Sequence, residues 1–442
     1  MSKVKKPRNA DHVRRKNAPT PSDEVIEARL ESLLEPAVLG QQGYARLLGL
    51  RERILSFPVM VAAVLTLLWR QVPSVCELSR VLAREDCLWA PRLKVSQQAL
   101  SQRFLSFPAE LFQRVLWALL PRLRQRWAER QRPLPAAVVH ARQHFREVLI
   151  ADGSTLEALF RKLKALQELP KGRLAGKICT VIDLASRLPR YVWFTELAQA
   201  HDINFIDRIL KVSRAGLLWV FDRGLYDFGF FERLIERGAA WITRSKSNLS
   251  YSLSQVLEQS DFIRDQLIRV EGCAHRLRLV EVRFERQWYR YLTSVTDPRI
   301  LPAWVVADIY RRRWRIEEAF FIVKRVLNLS YLWTGSENGV LLQVWSTWLF
   351  FAVLVDLGDA VADEMELEFD RISLEMLMRG LYHFSVARQR GLADDPVKYF
   401  AAPENQDLGV VKRLRKKRPP RAGLSSSTAL THVLGAPWKT DG

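Results

Sequence analysis

The spacing of apolar residues changes from helical to strand-like near Arg146 and divides the chain into regions. Over residues 23–132, apolar positions recur at helical intervals, which predicts a helical N-terminal domain. The apolar run Phe57–Trp69 within it predicts a buried core helix. The region closes in an Arg-rich stretch crossed by prolines at residues 121–146, which indicates a domain boundary or linker.

Two short helices are predicted inside this region, at residues 74–85 and 96–105, with serines as N-caps. The second would expose Gln98, Gln102 and Arg103. Such a pair is compatible with a helix-turn-helix whose second helix reads DNA. Helical bundles contain similar pairs, and both interpretations stay open.

From residue 146 onward, short apolar runs alternate with amphipathic segments, which is typical of an α/β fold. The predicted elements are a strand at 148–151, a hairpin formed by 178–184 and 191–195, a helix at 201–212, a strand at 216–221, a helix at 230–236 and a strand at 240–243.

The alternation stops at about residues 245–296, where two segments alternate arginine with apolar residues as in a half-exposed sheet. We interpret this stretch as a β-rich insertion. Amphipathic segments return further on, and residues 361–410 are predicted to form a helical C-terminal region. The charged ends, residues 1–22 and 411–442, are predicted to be disordered, the first as an arm along a phosphate backbone or as a solvated tail.

The stretch YRRRWRIEEAFFIVK, residues 310–324, combines an apolar face with a narrow polar stripe. On a continuous α-helix, Tyr310, Arg313, Glu317 and Lys324 would share that stripe. Taken alone, Arg313 and Glu317 would be an ordinary i,i+4 ion pair on an amphipathic helix. Whether Glu317 does more depends on carboxylates elsewhere in the chain.

Two predicted buried strands run directly into aspartates, in the motifs Asp152-Gly153-Ser154-Thr155 and Asp222-Arg223-Gly224. Either aspartate alone could be a turn residue. If the two strands are neighbours and the helix of Glu317 crosses their ends, the three carboxylates converge. Such oxygen ligands suit Mg²⁺ or Mn²⁺, and two ions about 4 Å apart can support in-line displacement at phosphorus.

The formal net charge of +20 over 442 residues indicates a polyanionic partner, most directly nucleic acid. An acidic membrane surface is the rival partner. The longest apolar runs, residues 57–69 and 340–357, are shorter than a spanning helix or interrupted by polar residues, so we expect core helices and no membrane segment. The four cysteines are scattered without a Cys-x-x-Cys pair, so neither a disulfide framework nor a thiolate zinc site is indicated.

These motifs resemble the DDE transposases of bacterial insertion sequences, in the insertion-sequence-four family that includes the transposon-five and transposon-ten enzymes. The family signature is Tyr, two residues, Arg, three residues, Glu, six residues, Lys. Tyr310, Arg313, Glu317 and Lys324 match it at every spacing, and both aspartate motifs match in style. The resemblance covers roughly residues 55–360.

The resemblance implies an α/β fold with a ribonuclease-H-like catalytic core over residues 146–360, preceded by a helical domain that binds transposon ends. It implies that Asp152, Asp222 and Glu317 are catalytic metal ligands for Mg²⁺ or Mn²⁺. We also expect a set of residues to contact DNA, from the resemblance, from the exposed face of the second short helix and from the basic surroundings. They are Tyr310, Arg313, Lys324, Arg223, Trp288, Gln98, Gln102 and Arg103. Trp288 would stack on a flipped base, or be an ordinary packed strand residue. One departure is Leu225 after Asp222-Arg223-Gly224, where many relatives have an aromatic; this puts the packing behind Asp222 in doubt.

The expected function is therefore cut-and-paste transposition of an insertion sequence in the cytoplasm of a bacterium, at the nucleoid. The protein would pair two double-stranded DNA ends as a homodimer. A DNA-binding relic without catalysis, or a metal nuclease that cuts without strand transfer, are the alternatives.

Overall fold

The computed structural model describes residues 24–50, 54–72, 74–156, 176–195, 197, 200–327, 329 and 336–412. The predicted arm and all but the first two residues of the predicted tail lie outside this part of the chain. The chain divides into two compact units: residues 1–126, 323–364 and 373–410 form the first, and residues 127–322, 365–372 and 411–442 form the second. Residues 323–360, expected in the catalytic region, thus group with the N-terminal helices.

The N-terminal region is helical, as predicted. Its helices are α1 (Glu24–Leu39), α2 (Gln42–Leu47), α3 (Phe57–Trp69), α4 (Val75–Arg84), α5 (Gln97–Ser106) and α6 (Glu110–Glu129). The hydroxyls of Ser74 and Ser96 accept hydrogen bonds from Glu77 N and Ala99 N, so both predicted N-caps are formed. The stretch 121–146 is not an extended linker, because Pro121 lies inside α6, but the boundary between the two compact units falls within it, after Arg126.

The second unit contains one continuous sheet of nine strands. They are β1 (Glu147–Thr155), β2 (Lys177–Asp183), β3 (Pro189–Thr195), β4 (Leu217–Phe221), β5 (Ala240–Arg244), β6 (Ser252–Gln259), β7 (Ile263–Arg269), β8 (Leu277–Phe284) and β9 (Gln287–Thr293). The strand order is β3-β2-β1-β4-β5-β9-β8-β7-β6. β1, β2 and β3 pair antiparallel, whereas β1, β4 and β5 run parallel.

Among the described residues of this unit, the α-helices are α7 (Ala136–His144), α8 (Ile206–Val212), α9 (Phe228–Glu236), α10 (Ala303–Arg311) and α11 (Arg315–Phe321). β4 is buried at all five positions, as a central parallel strand should be. The core around it is aromatic: the rings of Phe231 and Trp241 stack at 4.1 Å, and those of Trp219 and Phe221 at 5.7 Å. The apolar runs that predicted β4 and β5 therefore form the centre of the core.

The segment predicted to be a β-rich insertion contains strands β6 to β9 and extends the same sheet, because β9 pairs antiparallel with β5. The sequence indicated β8 and β9 but not β6 and β7. β6 is exposed at seven of its eight positions, so it shows no alternation of buried and polar residues. Inside the insertion, Arg278 and Asp265 form a fully buried ion pair.

The C-terminal helices are α12 (Glu337–Glu364), α13 (Leu374–Gln389) and α14 (Pro396–Ala401). The expectation that no helix reaches spanning length is wrong for α12, which has 28 residues and is apolar enough to cross a membrane. However, 94% of its most apolar window is buried within the protein, as in a core helix. The hydroxyls of Ser346 and Thr347 donate to the Gln343 carbonyl of the same helix, so these polar residues do not interrupt it.

Candidate functional site

Two of the predicted carboxylates meet because β1 and β4 are parallel neighbours. The last pair in their register is Ala151 with Phe221, so Asp152 and Asp222 are the next residues on each strand. Asp152 does not end its strand as predicted. β1 continues to Thr155 along its antiparallel partner β2, where Asp152 lies opposite Thr180. The two aspartates therefore face each other where the parallel ladder stops.

Each aspartate is held by the backbone that follows it. Gly153 N donates to Asp152 Oδ1 at 2.8 Å, and Gly224 N donates to Asp222 Oδ1 at 2.7 Å. These short turns leave the second oxygen of each carboxylate for other partners. Asp152 is 5% exposed, and Asp222 is more accessible.

A third aspartate joins them that the sequence did not identify as a site residue. One carboxylate oxygen each from Asp152, Asp202 and Asp222 lies within 4.8 Å of the others. Asp202 begins the 3₁₀ turn Asp202–Phe205 before α8. An aspartate at a helix start has the sequence signature of a cap, so no local signal distinguished it.

Glu317 reaches this cluster through Arg313. Arg313 Nη1 donates to Asp152 Oδ2 at 2.8 Å and lies 3.6 Å from Glu317 Oε1. The i,i+4 pair considered from sequence is thus formed, and the same guanidinium also binds the first aspartate. Arg313 is 8% exposed, whereas the Glu317 side chain is 42% exposed. Glu317 is therefore much more accessible than the buried Asp152.

The helix that carries Glu317 is not the continuous α-helix assumed from sequence. A 3₁₀ turn at Arg312–Trp314 separates α10 from α11, and the π-helical turn Ile322–Val326 follows α11. The uniform angular spacing behind the predicted stripe does not hold across these turns. Lys324 lies in the π-helical turn, so α-helical spacing no longer indicates that it shares a face with Glu317.

Tyr310 is a largely buried member of the same neighbourhood. Its ring lies 5.2 Å from that of Tyr291. Burial raises the pKa of the Tyr310 hydroxyl; the Arg313 guanidinium lowers it, and the Asp222 carboxylate again raises it. Tyr310 is thus a neutral hydroxyl between a cation and the acidic cluster.

The pKa values of Asp152 and Asp222 are both raised within the acidic cluster. Burial, and then the neighbouring Asp222 carboxylate, raises the pKa of Asp152 to about 8, although Arg313 opposes the shift. Burial also raises the pKa of Asp222, while its bond from Gly224 N and the charge of Arg313 lower it. A bound cation would favour the ionised form of both.

The packing behind Asp222 is intact despite the departure at Leu225. Leu225 is 1% exposed and belongs to the core, and Tyr226 packs edge-on against Phe228 and Phe231. Lys246 Nζ lies 4.5 Å from the centre of the Tyr226 ring. The aromatic is displaced by one residue, and Leu225 fills the core in its place.

Most arginines of the 310–324 stretch are bound internally. Arg311 and Arg312 pair with Asp308, and Arg315 pairs with Glu318 at 2.6 Å. A partly buried ion-pair cluster, defined here as Arg187, Arg312, Arg315, Glu318, Asp370 and Lys412, continues from them. Of the four arginines at 311–313 and 315, the structure places Arg313 at the acidic site.

The remaining predicted DNA contacts have mixed surroundings. Gln98 and Gln102 are exposed on α5, whereas Arg103 donates to the Leu55 carbonyl at 3.3 Å and lies over the Phe107 ring. Arg223 is exposed but donates to the Ser245 carbonyl at 3.0 Å.

Trp288 is half-buried on β9, with the Arg264 guanidinium 4.4 Å from its ring centre. A packed strand residue would have such a contact, but the same ring could also stack on a base, so its role stays a prediction.

Clustered carboxylates at the ends of parallel strands, flanked by cations, are typical of metal-dependent phosphoryl-transfer domains. Residues 143–352, which include all four carboxylates of the site, match the family model described as "Transposase DDE domain". This match, with the relatives below, supports a DDE transposase of insertion sequences.

Two curated relatives carry transposase names. The chain is 28% identical over 194 residues to "Putative transposase y4zB" of Sinorhizobium fredii (strain NBRC 101917 / NGR234), covering 41% of this chain and 54% of that protein. It is 24% identical over 170 residues to "Probable transposase for insertion sequence element IS5377" of Geobacillus stearothermophilus, covering 37% and 45%. The chain thus spans about half the length of the relatives it matches.

Among solved structures, the chain is similar to a piggyBac transposase synaptic complex with hairpin DNA, at 13% identity and a TM-score of 0.41. The alignment covers 94% of this chain and 91% of that one. A likeness at this level supports no conclusion about function.

Proposed function

We propose that this protein is a DNA transposase of an insertion sequence, which binds terminal inverted repeats and catalyses metal-dependent DNA cleavage and strand transfer. One observation carries the proposal: Asp152 and Asp222 converge beyond the β1–β4 ladder, Arg313 connects Asp152 to Glu317, and all lie inside the segment that matches a transposase DDE domain.

We propose that the second unit is ribonuclease-H-like. Three antiparallel strands followed by two parallel ones, in the order β3-β2-β1-β4-β5, support this fold. The signature at Tyr310, Arg313, Glu317 and Lys324 supports membership of the insertion-sequence-four family.

The site suits a hard divalent cation, because its donor atoms are carboxylate oxygens that lie close together. Asp152, Asp222 and Glu317 would hold Mg²⁺ or Mn²⁺, and two ions are proposed. When bound, the metal would supply a nucleophilic oxygen and neutralise charge at phosphorus.

The protein's own groups perform the remaining tasks. The Gly153 and Gly224 amides fix one oxygen of each aspartate, which orients the other oxygen. Arg313 sets the relative position of Asp152 and Glu317, and its charge would attract a DNA phosphate. Tyr310 presents a neutral hydroxyl beside this guanidinium and would bind the same backbone.

We further propose that the helical residues 23–132 bind the transposon ends through α5, where Gln98 and Gln102 are exposed. A homodimer would pair two ends of double-stranded DNA, and the protein would act at the nucleoid. The net charge of +20 supports nucleic acid as the partner.

The test uses purified protein, Mg²⁺ and labelled DNA carrying the element's own ends. Nicked DNA together with joined product supports a transposase. Nicked DNA alone would indicate a nuclease without strand transfer, and bound but intact DNA would indicate a non-catalytic relic. Asp152→Asn serves as the inactive control.

A further inference from the structure

Asp202 occupies a position that two glycines create. A β-carbon on Gly153 would lie 1.9 Å from Asp202 Oδ1, and a β-carbon on Gly224 would lie 2.6 Å from Asp202 Oδ2. These glycines belong to the turns after Asp152 and Asp222. The Asp202 carboxylate therefore lies against the backbone of both aspartate motifs, where no larger residue leaves room for it.

The usual role of an aspartate at a helix start does not account for this placement. The 3₁₀ turn Asp202–Phe205 has no side-chain capping bond, and neither has α8, which follows it. Within the described residues, Asp202 Oδ1 is buried and accepts no hydrogen bond of normal geometry.

Lys177 is the cation beside Asp202. Its Nζ lies 2.7 Å from Asp202 Oδ1, but it donates its hydrogen bond to the Ala200 carbonyl at 2.7 Å. Lys177 and Asp202 therefore form a close ion pair, although the ammonium group directs its hydrogen bond to the Ala200 carbonyl.

The charges of the site favour a divalent cation close to Asp202. Four carboxylates, of Asp152, Asp202, Asp222 and Glu317, are accompanied by the two cations Lys177 and Arg313. Asp202, not Glu317, is the third member of the compact group whose oxygens lie within 4.8 Å of one another. Hard divalent ions bind such grouped oxygens.

We propose that Asp202 is a further ligand of the catalytic metal site and contributes a carboxylate oxygen to a divalent cation shared with Asp152 and Asp222. This rests on the proposed metal-dependent function, and it extends the predicted set of Asp152, Asp222 and Glu317 by a residue that lies outside the signature.

Metal affinity of the full chain without DNA tests the assignment. Free Mn²⁺ is followed by electron paramagnetic resonance during titration of wild type and Asp202→Asn. We expect at least about a tenfold loss of Mn²⁺ affinity in D202N. Asp207→Asn is the matched control, because Asp207 lies on α8, five residues away, with a largely exposed side chain paired to Arg233; it should bind Mn²⁺ as wild type does.

Lys177→Gln separates a ligand from a structural anchor. If Asp202 binds the metal, removal of the competing ammonium keeps or raises Mn²⁺ affinity. If Asp202 acts only by holding Lys177, K177Q reproduces the loss seen in D202N, and the proposal is overturned. Circular dichroism melting in EDTA verifies that each variant is folded.

The outcomes also distinguish this inference from the proposed function. Wild-type affinity in D202N, together with lost affinity in Asp152→Asn and Asp222→Asn, would refute the role of Asp202 and leave the transposase proposal standing. Absence of Mn²⁺ binding by the wild type would instead overturn the metal site itself, and the inference with it.

Discussion

Arg313 Nη1 lies 2.8 Å from Asp152 Oδ2, and both side chains are at most 10% exposed. This contact joins strand β1 to the turn that precedes α11, and so positions Glu317 on the same guanidinium as Asp152. The guanidinium is therefore a structural part of the acidic site as well as a candidate phosphate contact.

Loss of Arg313 should destabilise the metal-free protein. Arg313 opposes the rise in the Asp152 pKa, so in Arg313→Gln the buried carboxyl must either stay charged without its cation or bind a proton at a cost in free energy. At pH 9 we expect a loss of about 2 kcal/mol. The double variant R313Q/D152N should lose less than the two single variants added together, because neither charge remains. Urea denaturation in EDTA measures this. Additive losses would contradict the coupling, and Arg299→Gln, at an exposed pair, is the control expected to leave the midpoint unchanged.

Catalysis should depend on the carboxylates and not on nearby acidic residues. Asp222→Asn and Glu317→Gln should each reduce DNA cleavage by at least about a hundredfold, because each removes a negative oxygen donor from the site. Gel analysis of end-labelled transposon DNA provides the rates. Asp227→Asn is the matched control, since Asp227 caps α9 by accepting from Phe230 N and asparagine caps equally well. Unchanged cleavage in E317Q would remove Glu317 from the site.

Gly153 should be required only while Asp202 is present. Gly153→Ala places a β-carbon against the Asp202 carboxylate, and we expect a loss of stability of about 1 to 3 kcal/mol. In an Asp202→Ala background the same change should cost less by at least about 1 kcal/mol, because the clashing oxygen is gone. A double-mutant cycle by chemical denaturation gives the coupling, and a value near zero would mean that the backbone moves aside freely.

Asp370 should contribute stability at neutral pH that is lost in acid. Burial alone would raise the pKa of this carboxyl, but the guanidinium groups of Arg187, Arg315 and Arg312 hold it well below its usual range. Because the folded pKa is depressed, the contribution is present above the unfolded value of about 4 and falls as pH drops below it. Asp370→Asn should therefore cost about 3 kcal/mol at pH 7 and progressively less below about pH 4. If Asp370→Asn lowered the free energy of unfolding by the same amount at pH 7 and at pH 3, this assignment would be contradicted.

The sequence predicted those parts of the site that depend on local pattern. The apolar runs before Asp152 and Asp222 defined two buried strands, and burial of both strands in one sheet made them neighbours. The spacing around Glu317 indicated a further carboxylate near the site, and its role as a metal ligand stays a prediction. Such features can be predicted from the sequence because strand burial and motif spacing are properties of short segments.

The parts that failed depend on tertiary contacts. Asp202 joins the site only because the chain between β3 and β4 brings it over two glycines, and its local sequence resembles a cap. The break in the helix at Arg312–Trp314 accompanies the ion pair of Arg312 with Asp370, which lies 58 residues further along the chain. β6 was missed because its side chains are mostly exposed on both faces.

The β-rich segment β6–β9 shares backbone hydrogen bonds with the parallel strands through the β5–β9 pair. This segment consequently could not be deleted or exchanged as an independent module, since removal of β9 would expose the edge of β5. Amide hydrogens of β5 and β9 should exchange with solvent as one cooperative unit. Local unfolding of β9 would therefore also expose β5, which is the neighbour of the strand that precedes Asp222.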